Sequence, residues 1–181
     1  MKELTSFLVA IALAVTLLFS ASCKKADTLQ KALQLEASYV IEVPSQYDHN
    51  TQLSRFYKNY RNSLSFRDQT MDFEFPHLVD KLRAGKQYTV EVYRPARTLS
   101  HQECVDFLQS KKALFVGGEG LEVFWELRNK EKIRDGVWYA SYIKTPDSKP
   151  AACFSLGQFI GHQLDVSHAS DRIVCFRESK D

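Results

Sequence analysis

Residues 87–111, QYTVEVYRPARTLSHQECVDFLQSK, decide the fold. Residues 88–93 (YTVEVY) are rich in β-formers, and the strand must stop at Arg94-Pro95, because proline has no N–H to give to a ladder. Ser100-His101-Gln102-Glu103 is then a capping box, in which the serine hydroxyl and the glutamate carboxylate satisfy each other's backbone N–H. It opens a helix to about Lys111 whose inner stripe is Cys104, Val105, Phe107 and Leu108. A strand that stops and hands over to a capped helix begins an α+β domain.

Forward of this stretch, residues 114–116 form a short apolar run and Gly117-Gly118-Glu119-Gly120 breaks the chain. Leu121, Phe124, Trp125 and Arg128 mark a second helix to about Lys132. Asp135-Gly136 is a turn, followed by a strand over residues 137–143 (VWYASYI). A polar loop, 144–150, leads to a strand over 152–160, and the last strand covers 172–177 (RIVCFR). Backward, residues 76–84 predict a short helix ended by Gly85, and residues 52–64 place Leu53, Phe56, Tyr57, Tyr60 and Leu64 on one helical face. Residues 39–43 (YVIEV) predict a strand stopped by Pro44, preceded by a short helix over 29–37.

The chain has 181 residues, 44% hydrophobic and 25% charged, with a formal charge of +2. Its seven glycines and five prolines are too few for a linker or a disordered chain. Cations and anions stay balanced along its length, so nothing marks a nucleic-acid binder. Arg55, Lys58 and Arg61 between aromatic residues read as solvated cations flanking a packed face.

Residues 1–22 predict a signal peptide: Lys2 in the n-region, an apolar run over 7–19, then Ser20, Ala21 and Ser22. The run is too short to cross a hydrocarbon core, which takes roughly 20 residues. Ser20-Ala21-Ser22-Cys23 resembles a bacterial lipobox, although Ser20 stands where leucine is usual. That resemblance implies a diacylglycerol on Cys23 and a lipid anchor in the cell envelope. Lys24 after the cysteine then implies the outer membrane, if the host has one. Ordinary cleavage, giving a soluble periplasmic or secreted protein, is the alternative. Three cysteines then remain, Cys104, Cys153 and Cys175, with no C-x-x-C among them.

The order strand, helix, helix and several short strands, closed by V-C-F-R-E, resembles the C-type-lectin-like fold over residues 87–178. It is most similar to the bacterial branch that includes formylglycine-generating enzymes, lipoprotein adhesin domains and retroelement-diversified receptors. Trp138-Tyr139-Ala140-Ser141 and the helix after Gly120 add to that likeness. The resemblance implies an α+β domain over 87–181, with two helices and a small, mainly antiparallel sheet. A tether and mixed helix/strand extension, 23–86, precedes it. The resemblance also implies a disulfide between Cys104 and Cys175, leaving Cys153 spare. Closing a loop of about 70 residues is worth roughly 4 kcal/mol in the loop-entropy account.

The family's calcium triplets, Glu-Pro-Asn or Gln-Pro-Asp, are absent, so calcium-dependent sugar binding is not expected, and no cofactor or metal is. His162, Asp165 and His168 are the densest set of metal-ligand types, but the stretch reads as a solvated loop, and a zinc or copper site needs a further ligand that the sequence does not reveal. There is no P-loop, G-x-S-x-G or H-E-x-x-H. In the lectin-like fold, ligands meet the loops between the later strands. Here those loops carry Lys144, Asp147, Lys149, His162, Gln163, Asp165, His168 and Asp171. The expected function is therefore calcium-independent binding of a protein, glycan or envelope polymer. A periplasmic enzyme or enzyme inhibitor with a site near 162–168, and a structural lipoprotein without a ligand, are the alternatives.

Overall fold

The computed structural model describes residues 29, 31–60, 79–118, 120, 122–124, 126, 137, 139–142, 150–155, 158–160, 166–167 and 171–179. In chain order its strands are β1 (Leu33–Glu42), β2 (Gln87–Pro95), β3 (Leu99–Ser100), β4 (Tyr139–Tyr142), β5 (Pro150–Ser155), β6 (Gln158–Ile160), β7 (Val166–Ser167) and β8 (Arg172–Glu178). The helices are α1 (His49–Tyr60) and α2 (His101–Ser110), and residues 117, 118, 120, 122–124 and 126 are also helical.

Six strands form one sheet in the order β1-β2-β8-β4-β5-β6, and β3 pairs with β7 apart from it. All pairings are antiparallel except β4 with β8, which run parallel with Ala140 opposite Ile173. The class is α+β, with a mixed sheet.

Both faces of the central strands are buried. On one face Tyr88, Val90 and Val92 of β2 and Val174 and Phe176 of β8 pack with Val116, Phe124 and Tyr139. On the other, Tyr93, Ile173 and Cys175 meet Cys104, Val105, Phe107 and Leu108 of α2. This is why residues 88–93 and 172–176 carry apolar side chains at both parities: each strand serves two layers. Fully burying a side chain such as Leu108 or Val174 contributes roughly 1.5–3 kcal/mol.

α2 begins as the sequence predicts. The Glu103 amide donates to Ser100 Oγ at 3.3 Å and the Ser100 amide to Glu103 Oε2 at 2.9 Å. Its far end is a Schellman motif made without glycine. The Lys112 amide donates to Gln109 O and the Ala113 amide to Leu108 O, both at 2.9 Å, with Lys112 at φ +53°.

Several expectations are corrected. Among the described residues of the expected helix over 29–37, only 29, 31 and 32 are helical; from Leu33 the chain is strand β1, in register with β2 from Leu33–Pro95 to Glu42–Gln87. Nine long-range pairings outweigh a weak local helical pattern. The segment expected to stand before the domain thus supplies the edge strand of its sheet. The ladder reopens after a bulge between Leu35 and Ala37, which puts Leu35, Ser38 and Val40 on the same face.

Residues 79–83, expected to be helical, are irregular. Asp80 exchanges bonds with Phe115 instead: its amide donates to Phe115 O, and the Phe115 amide donates to Asp80 Oδ2, both 2.9 Å. The expected strand 152–160 is a hairpin, β5 and β6, with Ser155 opposite Gln158. Gly117, Gly118 and Gly120 lie within helical structure rather than ahead of it. A Cβ on Gly120 would stand 1.9 Å from Val116 Cγ2 and 3.4 Å from Phe176, so the helical backbone sits directly on the core there.

Candidate functional site

Two of the clefts among the described residues have a lining residue bonded to a buried carboxylate. The first opens where α2 ends beside β2 and β8, a cleft of about 760 Å³ lined by Thr89, Ser110, Lys111, Lys112, Leu114, Arg177 and Glu178. Below it Glu91 is buried on β2. Arg177, two residues beyond the β8 partner of Glu91, forms an ion pair with one oxygen of Glu91, and the Tyr93 hydroxyl donates to the other at 2.8 Å. A buried carboxylate needs such partners, and Glu91 in turn holds the Arg177 guanidinium at the cleft wall. The bond to Glu91 also raises the Arg177 pKa, keeping it charged.

Tyr93 stacks edge-on against Phe107, with centroids 4.8 Å apart. Lys111 Nζ stands 5.6 Å from the Tyr93 centroid and 5.5 Å from that of Phe107, a cation–π seat that fixes it over the two rings. Lys112 follows in the left-handed conformation, where a side chain costs about 1 kcal/mol or more relative to glycine. Three cations thus face one cleft whose acidic lining residue, Glu178, is drawn towards Arg83 at 3.9 Å. Lys112→Gly is expected to stabilise the fold by about 0.5–1 kcal/mol, read as a higher urea midpoint at unchanged m-value. An unchanged or lower midpoint would show that Lys112 is not strained.

The second cleft, about 410 Å³, lies between the end of β1 and α1. Val40, Ile41, Val43, Pro44 and Tyr47 make its apolar wall, and Glu42, Gln52, Arg55 and Glu126 its polar one. Beneath Gln52 and Arg55 lies Glu122, 2% exposed. Gln52 Nε2 donates to Glu122 Oε2 at 2.8 Å, Arg55 Nε stands 3.6 Å from Oε1, and Arg55 Nη2 donates to Glu126 Oε1 at 2.9 Å. Burial pushes the Glu122 carboxyl up to about 7; Arg55 and the Gln52 bond pull against this and Glu126 adds to it.

Of the residues singled out in the sequence, Cys23, Lys144, Asp147, Lys149, His162, Gln163, Asp165 and His168 lie outside the described residues. Asp171, expected on an exposed loop, is 3% exposed at the foot of β8, where its carbonyl accepts from Arg172 Nη1 at 3.0 Å. It belongs to the packed base of the strand, beside the ion pair of buried Arg172 with Glu36.

Cys104 and Cys175 share the buried cluster under α2, and no bridge joins them. They serve there as small apolar side chains, and burial, with the charge of Glu91, pushes the Cys175 thiol up to about 12. Cys153 stands on β5 opposite Ala140. Among the described residues no group of three or more His, Cys, Asp or Glu is placed to hold a metal ion.

The residues missed in the sequence are Glu91, Lys111, Lys112, Arg177 and Glu122. One signal was present: Glu91 sits in mid-strand among β-formers, where a charge must find a partner. For Glu122 none was, since a glutamate on a helix is ordinarily solvated. Compared with family models, curated proteins and solved structures, the chain matches none.

Proposed function

We propose that this chain is an exported, lipid-anchored binding module of the cell envelope, taking an anionic ligand in the cleft beside α2. The ligand carries phosphate or carboxylate groups on an envelope polymer. The observation that carries this reading is Lys112, held left-handed beside Lys111 and Arg177 where glycine would be unstrained. Strain retained at a cleft is a pointer to use. Cations seated on aromatic rings and on a buried carboxylate are ordered before any ligand arrives, which lowers the entropy cost of binding. Recognition by side-chain cations needs no calcium.

The anchor is Cys23, and the outer membrane is its place if the host has one. The C-type-lectin-like reading of residues 87–178 draws support from α2 and β8 bringing Cys104 and Cys175 into one cluster. The cleft at the ends of α2 and β8 is a different place from the later loops, where that resemblance puts ligands.

The test is titration of the full-length, detergent-solubilised protein with sodium polyphosphate, and with inorganic phosphate as the monomeric probe. Polyphosphate is expected to bind more tightly than phosphate and to weaken steeply with added salt. The double variant K111A/K112A is expected to lose at least tenfold in affinity without losing its fold. Equal binding by the double variant, or binding insensitive to salt, would overturn the cleft as the site. In the same preparation, Cys23→Ala is expected to leave the membrane fraction; continued membrane association would remove the lipid anchor from the proposal.

A further inference from the structure

Beyond the basic cleft, the structure holds a polar cluster in which two carboxylates share one cation. Arg55 lies between Glu126, which takes its Nη2 at 2.9 Å, and Glu122, 3.6 Å from its Nε. The only other charged lining residue among those described is Glu42, across the cleft at the end of β1. With every carboxylate ionised, the site carries three negative charges against one positive. The remaining lining is Gln52 and an apolar surface formed by the end of β1, the turn carrying Pro44 and Tyr47, and Val123. A cleft of about 410 Å³ with apolar walls and a few convergent polar groups has the make-up of a small-molecule site.

We propose that this cleft binds a small organic cation, a primary ammonium group on an apolar body, and that binding rearranges the ion pairs of Arg55. The ammonium group takes Glu126 and Glu42 at the polar side, and its hydrocarbon lies along Val40, Val43 and Tyr47. Arg55 is then given over to Glu122, whose carboxyl ionises, and its proton goes to solvent. No bond other than this O–H is broken.

The groups facing Glu122 among the described residues are Gln52 and Arg55 from α1 and Glu126 from its own helical segment. Arg55 favours the ionised form, and burial with Glu126 favours the protonated one. A cation on Glu126 cancels one of the two opposing effects. An anionic ligand would do the reverse, competing with both carboxylates for Arg55 and binding better as Glu122 takes up its proton. The sign of the pH dependence therefore separates the two ligand classes.

The experiment is calorimetric titration of the full-length, detergent-solubilised protein with phenethylamine, with phenylacetate as the probe of opposite charge and similar shape. Phenethylamine is expected to bind about tenfold more tightly at pH 8 than at pH 5.5. Near pH 6 it should release a proton, seen as a dependence of the heat on buffer ionisation. Glu126→Gln, at an exposed position, is expected to weaken amine binding at least tenfold with the fold intact. Glu122→Gln should keep binding and lose its pH dependence. Should Glu122→Gln fail to fold, the buffer-dependent heat of the wild-type protein decides the coupling alone. Absence of amine binding, tighter binding of phenylacetate at pH 5.5, or a pH dependence unchanged in Glu122→Gln would each overturn the proposal.

Discussion

Phe176→Ala is expected to cost about 4 kcal/mol of unfolding free energy, a large share of the 5–15 kcal/mol that a domain has. Phe176 is wholly buried near the middle of β8, opposite Val90, and packs with Val116, Phe124 and Tyr139 under the helical residues after Gly117. Its carbonyl also accepts the Leu114 amide at 2.7 Å, so the backbone is held from the helical side and cannot slide in to fill the space. A ring removed from such a site leaves a cavity, and the loss of packing adds to the loss of apolar burial. Urea unfolding should show the midpoint falling at constant m-value. Val40→Ala, on the exposed side of edge strand β1 at 67% exposure, should stay within about 0.5 kcal/mol of wild type. Similar costs for the two would show that this face of the sheet is not packed as described.

The second large effect is on pH. Glu122 holds its proton up to about 7 in the folded chain, against an ordinary value of 4.5. Its folded pKa is the higher one, so its contribution to stability is fully present below pH 4.5. That contribution is lost as pH rises through 7, to the extent of about 3 kcal/mol. Glu103 acts in the opposite direction. The bond from Arg97, together with the Ser100 amide and hydroxyl, holds its carboxyl down to about 2, so its contribution is present above pH 4.5 and lost as pH falls through 2. The two windows do not overlap, and their joint effect is greatest stability near pH 4.5–5. Unfolding free energies measured from pH 3 to pH 8 should fall on both sides of that maximum. In Glu122→Gln the fall above pH 5 should largely disappear while the acid limb remains. A Glu122→Gln curve that still falls by about 3 kcal/mol between pH 5 and 8 would assign the effect to other groups.

This stability maximum bears on the two clefts differently. The basic cleft is built from the cations of Lys111, Lys112 and Arg177, so its affinity for anions should follow added salt. The cleft beside α1 has a titrating carboxyl at its floor, and its ligand affinity should follow that carboxyl. A single protein can therefore be assayed for both sites by varying pH and salt separately.

The residues of the chain by themselves determine the elements whose causes are local. The capping box at Ser100 and Glu103, the stop at Pro95 and the β-formers of 88–93 and 172–177 act within a few residues, and they appear as read. The tertiary structure decides what joins residues far apart. It turns 33–37 from an expected helix into the start of β1, sets β4 parallel to β8, and lays Gly120 against Val116 and Phe176. It also brings Gln52 to Glu122, 70 residues on, and Arg177 to Glu91, 86 residues back. Local signals are fixed by backbone sterics and near-neighbour hydrogen bonds. The fate of a charged side chain depends on how much water the fold takes from it and on which distant partner replaces that water.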